Sequence, residues 1–449
     1  MKKFFNTLSN IWKIEDLRVR ITNTLLFLLI YRIGCVIVLP GVNPATMNNK
    51  AAEGLVGLLN MFAGGAFSKA SIFALGVMPY ISASIVVQLL GIAVPYFAKM
   101  QKEGESGQNK LNQWTRYLTI GITALQAIGY VKSQIQPQQI YPGMSYFMFT
   151  VLSVFVLTAG TLFVMWLGER ITDKGIGNGI SLIIMIGIIA QLPGALAGEF
   201  TLRTGGSNGG LILFVCEIAA YIAVVMFTIV IVQGTRKIQV QYAKRIVGNK
   251  QYGGVRQYIP LKVNAAGVMP IIFAQALMFI PAYIPQLFPK LGNNDIVKAF
   301  GTFTSWQHNL TFAILIILFT YFYTAITVNP NQMADDMKKN GGFIPGVKPG
   351  RTTASFIDDI ISKITLPGAI ALAIIAIIPA LANDVGISGA FARFFGGTSL
   401  IIMVGVILDT LQQIESHLLM RHYDGLMKTG RISGRTAAPA ITGSSSSVI

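Results

Sequence analysis

Ten runs of about 20 mainly apolar residues, separated by polar loops, set the pattern of this chain. Lipid offers no partners for backbone N–H and C=O groups, so each run is expected to be a helix. The pattern predicts an all-α polytopic membrane protein. Its expected membrane spans are residues 21–40, 71–94, 114–132, 146–167, 179–198, 210–233, 263–284, 308–328, 364–383 and 396–416.

Composition and charge agree with this pattern and orient it. Hydrophobic residues make up 53% of the 449 and charged residues 12%, about half the charged share of soluble proteins. With ten spans, 27 lysines and arginines fall on the side of the N-terminus and 7 on the other. The positive-inside rule makes that side cytoplasmic, so both termini are expected there. Most of the net charge of +17 is explained by this topology and by attraction to anionic lipids.

The spans divide into five and five, which is compatible with an inverted repeat, although no convincing internal sequence match supports it. The expected organisation is a cytosolic segment (1–20), a first half (21–205), a second half (206–416) and a cytosolic tail (417–449). The second half carries two long loops, 234–262 and 329–363. The first has seven basic residues and no acidic one, and both are candidates for docking a cytosolic partner or are solvated surface.

Residues 60–98 form an apolar stretch that is too long for one crossing and too interrupted for a simple anchor. Gly64 and Gly65 break it, and Pro79 lies within it. Irregular backbone at membrane depth is tolerated only when it is buried in protein or lines a cavity. A surface helix on the outer leaflet is the alternative, made less favourable by its small apolar face.

Motifs for metal, nucleotide or catalytic chemistry are not apparent in the sequence, and no cofactor or metal site is predicted. Three ionisable residues lie inside spans: Arg32, Glu217 and Asp409. They are scattered, and a structural role is favoured for each over an ion path. Arg32 is expected either to snorkel or to find a carbonyl partner.

Five long motifs, in order, resemble the SecY family, the channel subunits of the Sec protein translocase. They start at residues 60, 102, 165, 260 and 341: NMFAGGAFSKASIFALGVMPYISASIVVQLL, KEGESGQNKLNQWTRY, MWLGERITDKGIGNGIS, PLKVNAAGVMP and GGFIPGVKPG. The resemblance spans about residues 16–427. It implies ten helices in two inverted five-helix halves around a central pore, with a re-entrant plug helix at residues 55–68. It also implies a channel without its own catalytic or nucleotide site, in the bacterial inner membrane.

The resemblance also implies partners and roles for residues. The partners are SecE and SecG, the SecA ATPase or a translating ribosome, unfolded preproteins with their signal peptides, and membrane lipids. A ring of aliphatic side chains would close the pore: Val77, Ile81, Ile180, Ile184, Ile272 and Ile402. The plug would include Leu55, Leu58, Leu59, Met61, Phe62, Gly64 and Gly65.

A lateral gate between the second and seventh spans, flanked by the third and eighth, would release hydrophobic segments into lipid. Gln88, Gln126 and Asn264 are polar residues in those spans, and mutual hydrogen bonds are predicted to hold the gate closed. Unrelated helix packing is the alternative for these three. Partner docking is expected from basic residues of the two loops: Arg236, Lys237, Lys244, Arg245, Lys250, Arg256, Lys348 and Arg351.

Lys348 departs from the family pattern, which usually has arginine at this position. A lysine is a point charge without the planar fork of arginine, so it is predicted to contact fewer acceptors. Two other classes of function remain open from the residues themselves. A secondary transporter would need convergent polar groups at the midplane, and an intramembrane hydrolase would need a nucleophile or an acid–base pair there.

Overall fold

The structure is a computed structural model, and it describes residues 14–44, 54–142, 144–205, 210–242, 245–247, 250–252, 256–287 and 305–428. The predicted end segments lie largely outside this part: residues 1–13 and 429–449 are not described. The predicted division between the halves falls at the end of a helix, beside residues 206–209, which are also not described.

Helices dominate the chain. Among the described residues, the first eight are α1 (Glu15–Gly34), α2 (Gly54–Phe62), α3 (Met78–Ala93), α4 (Pro95–Lys102), α5 (Glu105–Gln134), α6 (Tyr146–Lys174), α7 (Gly179–Gly205) and α8 (Gly210–Gln233). Six more follow: α9 (Met269–Leu287), α10 (Trp306–Thr327), α11 (Pro330–Lys339), α12 (Arg351–Asp384), α13 (Gly389–Ala392) and α14 (Gly397–Lys428). Each of the ten predicted spans therefore contains a helix.

Six helical segments of the described residues are long and apolar enough to cross a membrane. The bent pair α3–α4, with an angle of 103° at Val94 and Pro95, makes a seventh if it counts as one span. Five charged residues in α1 shorten its apolar run, and the first half of α5 is polar. The protein is a multi-pass membrane protein of mainly helical fold.

Residues 63–77 are not helical, yet they lie at the centre of the fold. Ala66, Ala70 and Ala74 are fully buried there. The backbone groups of this segment have protein partners: the Leu39 N–H donates to the Ala70 carbonyl at 2.8 Å, and the Ile72 N–H donates to Ile37 at 2.9 Å. This burial satisfies the requirement that irregular backbone at membrane depth be covered by protein.

Two short sheets lie where the sequence predicted long loops. β1 (Thr235–Tyr242) pairs antiparallel with β4 (Arg256–Lys262) and with β5 (Gly342–Phe343), in the order β4-β1-β5. β2 (Arg245–Val247) pairs with β3 (Lys250–Tyr252). Alternation explains the middle of β1, because Ile238 and Val240 are buried in a small apolar core of their own while Lys237 is exposed and Gln239 is half-buried.

Candidate pore and docking surface

Two helices begin with nearly the same six residues at the centre of the molecule. Residues 76–81 read GVMPYI and lead into α3, and residues 267–272 read GVMPII and lead into α9. Gly76 and Gly267 both have positive φ, 55° and 66°, a backbone conformation that glycine adopts without strain. A proline follows as the second residue of each helix, where its missing N–H costs no hydrogen bond.

A second pair of helices shows the same kind of match. α7 begins GISLII at residues 179–184, and α14 begins GTSLII at residues 397–402. In each pair five of six residues are identical, and the two members lie in opposite halves of the chain. The sequence analysis missed this internal repeat, although the strings could have been found by comparing the four glycine-led helix starts.

Isoleucines at equivalent positions of these four helices line one cavity. Ile81 and Ile272 are each the fourth residue of their helix, and Ile184 and Ile402 are each the sixth. The four side chains surround a cavity of about 20 Å³, which we call the waist cavity. That volume has room for about one water molecule, so the path is closed to a polypeptide.

The waist cavity has other neighbours that the sequence analysis did not name. Phe62 covers it from the end of α2, and Met78 and Ala276 add apolar surface. Ser82, Gln275 and Thr398 also line it. The Nε2 atom of Gln275 is buried and has no hydrogen-bond partner among the described residues.

The other two residues predicted for the ring lie outside the lining of the waist cavity. Val77 is the buried residue that precedes α3. Ile180 is half-buried, and its Cγ1 lies 2.8 Å from the position a Cβ of Gly168 in α6 would take. Ile180 therefore packs against α6, one helical turn before Ile184.

The predicted plug is helical only in its first part. α2 ends at Phe62, and Gly64 and Gly65 follow with φ of 64° and 88°, where the sequence predicted a turn. Leu59, Met61 and Phe62 are buried, while the side chains of Leu55 and Leu58 are not described.

Gly187 of α7 allows the end of α2 and the glycine turn after it to approach closely. A Cβ on Gly187 would lie 2.9 Å from the Phe62 carbonyl oxygen and 3.2 Å from the Gly64 nitrogen. Only a residue without a side chain fits at this contact.

The amide side chains predicted for the lateral gate are not joined to one another. Gln88 donates to Ser84 on its own helix at 3.3 Å, Gln126 is half-buried, and the buried Asn264 Oδ1 has no partner within the described ranges. The prediction of mutual hydrogen bonds is thus wrong for the described residues. The reason is geometric: a glutamine on a helix reaches the residue four positions earlier more easily than a neighbouring helix.

A polar cavity nevertheless separates the two halves at this seam. Its volume is about 280 Å³. One wall carries polar residues of α3, α4 and α5, and the other is formed by α9 and α10: the lining includes Gln88, Gln101, Gln108, Asn112, Thr115, Phe273 and Tyr323. Apart from Gln88, the sequence analysis did not name these residues, because nothing local relates α5 to α10.

The two basic loops meet in one sheet, since Gln241 of β1 pairs with Phe343 of β5. Arg236, Lys237, Lys348 and Arg351 are exposed on this unit. Lys244 lies outside the described residues. For Arg245, Lys250 and Arg256 the backbone is described, in β2, β3 and β4, but not the side chains.

A buried ion cluster ties together parts of both halves. Arg203 of α7 pairs with Glu199 at 3.0 Å and with Glu217 of α8 at 2.6 Å, and it donates to the Gly386 carbonyl at 2.8 Å. The Arg203 and Glu199 side chains are only 10% and 1% exposed. The predicted span 179–198 ends before Arg203, which would place Arg203 in a loop on the side away from the cytoplasm, whereas it lies within α7. Glu217 has the structural role that the sequence favoured.

A helical membrane fold whose central waist is closed by aliphatic side chains defines the class of membrane channels, and comparison with known proteins narrows the class. A sequence profile of the SecY family matches residues 71–411. The protein translocase subunit SecY of Mycobacterium tuberculosis is 44% identical, covering 92% of this chain and 97% of its own. The protein translocase subunit SecY of Halalkalibacterium halodurans is 43% identical, covering 94% of this chain and 100% of its own.

Solved structures show the same fold. A protein-conducting channel superposes with a TM-score of 0.65 at 18% identity, covering 89% of this chain and 92% of its own. The Sec61 channel of a canine ribosome–channel complex gives 0.61 at 18% identity, covering 89% and 92%. The chain belongs to the SecY family. It is a channel subunit of a protein translocase and not an enzyme.

Proposed function

We propose that this chain forms the central channel through which unfolded secretory polypeptides cross the bacterial inner membrane. The observation that carries the proposal is the convergence of four isoleucines, from four helices of both halves, on the waist cavity beneath Phe62. The bacterial relatives and the excess of basic residues on one side support this membrane and cytoplasmic termini.

An aliphatic waist suits a pore that must pass many sequences and exclude ions. Narrow apolar constrictions lose their water, and ions then cross at high cost. Isoleucine side chains also offer no hydrogen bonds, so a moving polypeptide finds no specific site at which to stop. Val77, which precedes Met78, and Ile180, one helical turn before Ile184, would join the ring once a chain widens it.

Hydrophobic segments would leave sideways through the seam between α3 and α5 on one side and α9 and α10 on the other. Gln88 and Gln126 belong to helices that border it, α3 and α5, and Asn264 lies in the turn that precedes α9. The polar cavity of about 280 Å³ supports this exit route, because it leaves the seam loosely packed on one side.

The exposed basic residues of the two joined loops would dock the driving partner, either the SecA ATPase or a translating ribosome. Similar folds in ribosome complexes, the canine Sec61 complex and the yeast Ssh1 complex, support the ribosome as one such partner. SecE and SecG would complete the channel within the membrane. Lys244, Arg245, Lys250 and Arg256 would extend the same basic surface.

Reconstituted vesicles test this function. Import of an unfolded precursor should require added SecA and ATP, and Lys348→Glu should lower its rate several-fold by reversing a docking charge. Lys363→Glu is the matched control, since Lys363 is exposed but already pairs with Asp359 at 2.7 Å. Import that proceeds at the same rate without SecA, or a Lys348→Glu rate equal to wild type, contradicts the respective part of the proposal.

A further inference from the structure

We propose that Arg32 is a positioning residue that holds the plug in its resting place. Its guanidinium Nη1 donates a hydrogen bond of 3.0 Å to the Gly64 carbonyl. This inference rests on the proposed role of residues 55–68 as a plug. It assigns a function to the one cation inside the first predicted span.

Among the described residues, Arg32 makes one polar contact. It lies near the end of α1, half-buried, and it pairs with no carboxylate in the described part of the chain. A guanidinium has five N–H donors and remains charged at any physiological pH. A charged side chain is costly inside a membrane span, so its presence there is a strong indication of function.

The acceptor is suited to a cation. The last carbonyls of a helix lack partners within the helix and carry partial negative charge, so cations are favoured near them. Gly64 follows the last turn of α2, and its positive φ turns the chain there. A Cβ at Gly64 would lie 2.7 Å from the Arg32 Nη1, so a residue with a side chain would have to displace the guanidinium from this contact.

Two other spans contribute contacts of the same kind. Gln191 of α7 donates from Nε2 to the Asn60 carbonyl at 2.6 Å. The Tyr130 hydroxyl of α5 donates to the Phe67 carbonyl at 2.7 Å. Three side chains from three helices therefore bind main-chain oxygens before, at and after the glycine turn.

These contacts form a latch that depends on the position of the plug and not on its side chains. All three are lost together when the backbone of residues 60–67 moves away, which makes release cooperative. The Arg32 hydrogen bond has a charged donor, and such bonds are roughly twice as strong as neutral ones. Arg32 is therefore expected to contribute the largest share.

The test compares resting ion flux in vesicles that contain the full chain with its partner subunits. Arg32→Gln should raise the flux about tenfold, because a hydrogen bond with a charged donor is worth about that factor in the plug equilibrium. Arg32→Lys retains a charged donor and should restore much of the seal. Lys69→Gln removes an exposed positive charge near the plug without removing a contact to it, and should leave the flux unchanged.

Deletion of residues 55–68 provides the decisive background. In the deleted chain, Arg32→Gln should cause no further rise in flux, since the latch has nothing to hold. An equal rise in both backgrounds, or no rise in the full chain, would overturn the latch. If the deletion itself leaves the flux unchanged, the proposed sealing role of the plug fails first.

Gln191→Leu guards against misfolding as an explanation. It removes a neutral donor with little change in shape, and a smaller rise of about threefold is expected. Thermal unfolding in detergent should be unchanged for this variant. If neither Gln191→Leu nor Arg32→Gln raises the resting ion flux above that of the wild type, the latch has no role in the seal.

Discussion

Gly187→Ala is expected to open the seal without destabilising the fold. The new methyl group would lie 2.9 Å from the Phe62 carbonyl oxygen and 3.2 Å from the Gly64 nitrogen. Both atoms belong to the main chain, so no side-chain rotation relieves the contact. Either α7 or the plug must move.

Two effects of opposite sign decide the outcome. Alanine is favoured over glycine inside a helix by about 1 kcal/mol, which stabilises α7. Overpacking at a tight contact costs about 1–3 kcal/mol. α7 is 27 residues long and packs against α6, α8 and α14, whereas α2 has nine residues and ends in a glycine turn. The strain should therefore displace the plug.

A displacement free energy of about 1–3 kcal/mol corresponds to a rise of about 5- to 150-fold in the displaced population. Ion flux through vesicles should rise accordingly, while the unfolding temperature in detergent changes little. Gly198→Ala is the control on the same helix, because no described atom of a neighbouring part lies within 4 Å of the position of its Cβ. Equal flux in the two variants would refute the reasoning.

Three further predictions concern other parts of the molecule. Replacing the four isoleucines of the waist cavity with serine should let water and ions through, as seen by vesicle conductance; unchanged conductance would refute a hydrophobic seal. Arg203→Ala leaves two buried carboxylates without a cation and should lower the free energy of unfolding by about 3–5 kcal/mol. Arg116→Ala, the control, breaks an exposed pair with Glu169 and should lower it by about 0–1 kcal/mol. Gln275→Leu removes a buried donor without a partner and should be neutral or stabilising; clear destabilisation would show that Gln275 has a partner, such as an ordered water.

Helices were predictable because their signals are local. Apolar runs, the glycine break at Gly64 and Gly65, and the proline near the start of α3 all act on the residues next to them. Helix ends were less predictable. α5 begins at Glu105 and α12 at Arg351, well before the apolar runs that they contain, since a helix continues past the lipid wherever its polar residues remain compatible with it.

Contacts between distant parts of the chain could not be derived from local pattern. Arg203 and the Gly386 carbonyl are 183 residues apart, and the pairing of β1 with β5 joins the two long loops that flank α9 and α10. The partners of a polar side chain depend on which helices pack together. For this reason the sequence suggested an outer loop for Arg203 and mutual hydrogen bonds for Gln88, Gln126 and Asn264.

The internal repeat connects the waist to the seam. Each half supplies one helix that begins with GVMP and one that begins with GxSLII, so each half contributes two of the four isoleucines. α3 packs against α9 at the seam, while α7 packs against α14 on the other side. Any motion that separates α3 from α9 must therefore widen the waist and the seam together.

The buried cluster around Arg203 lies on the side of α7 and α8, away from the seam, and joins both halves through Glu217 and the Gly386 carbonyl. Strong paired charges on one side and a loosely packed polar cavity on the other favour opening at the seam, with the cluster acting as the fixed edge. On the proposed function, one such motion would both admit a threading chain and release a hydrophobic helix into the lipid.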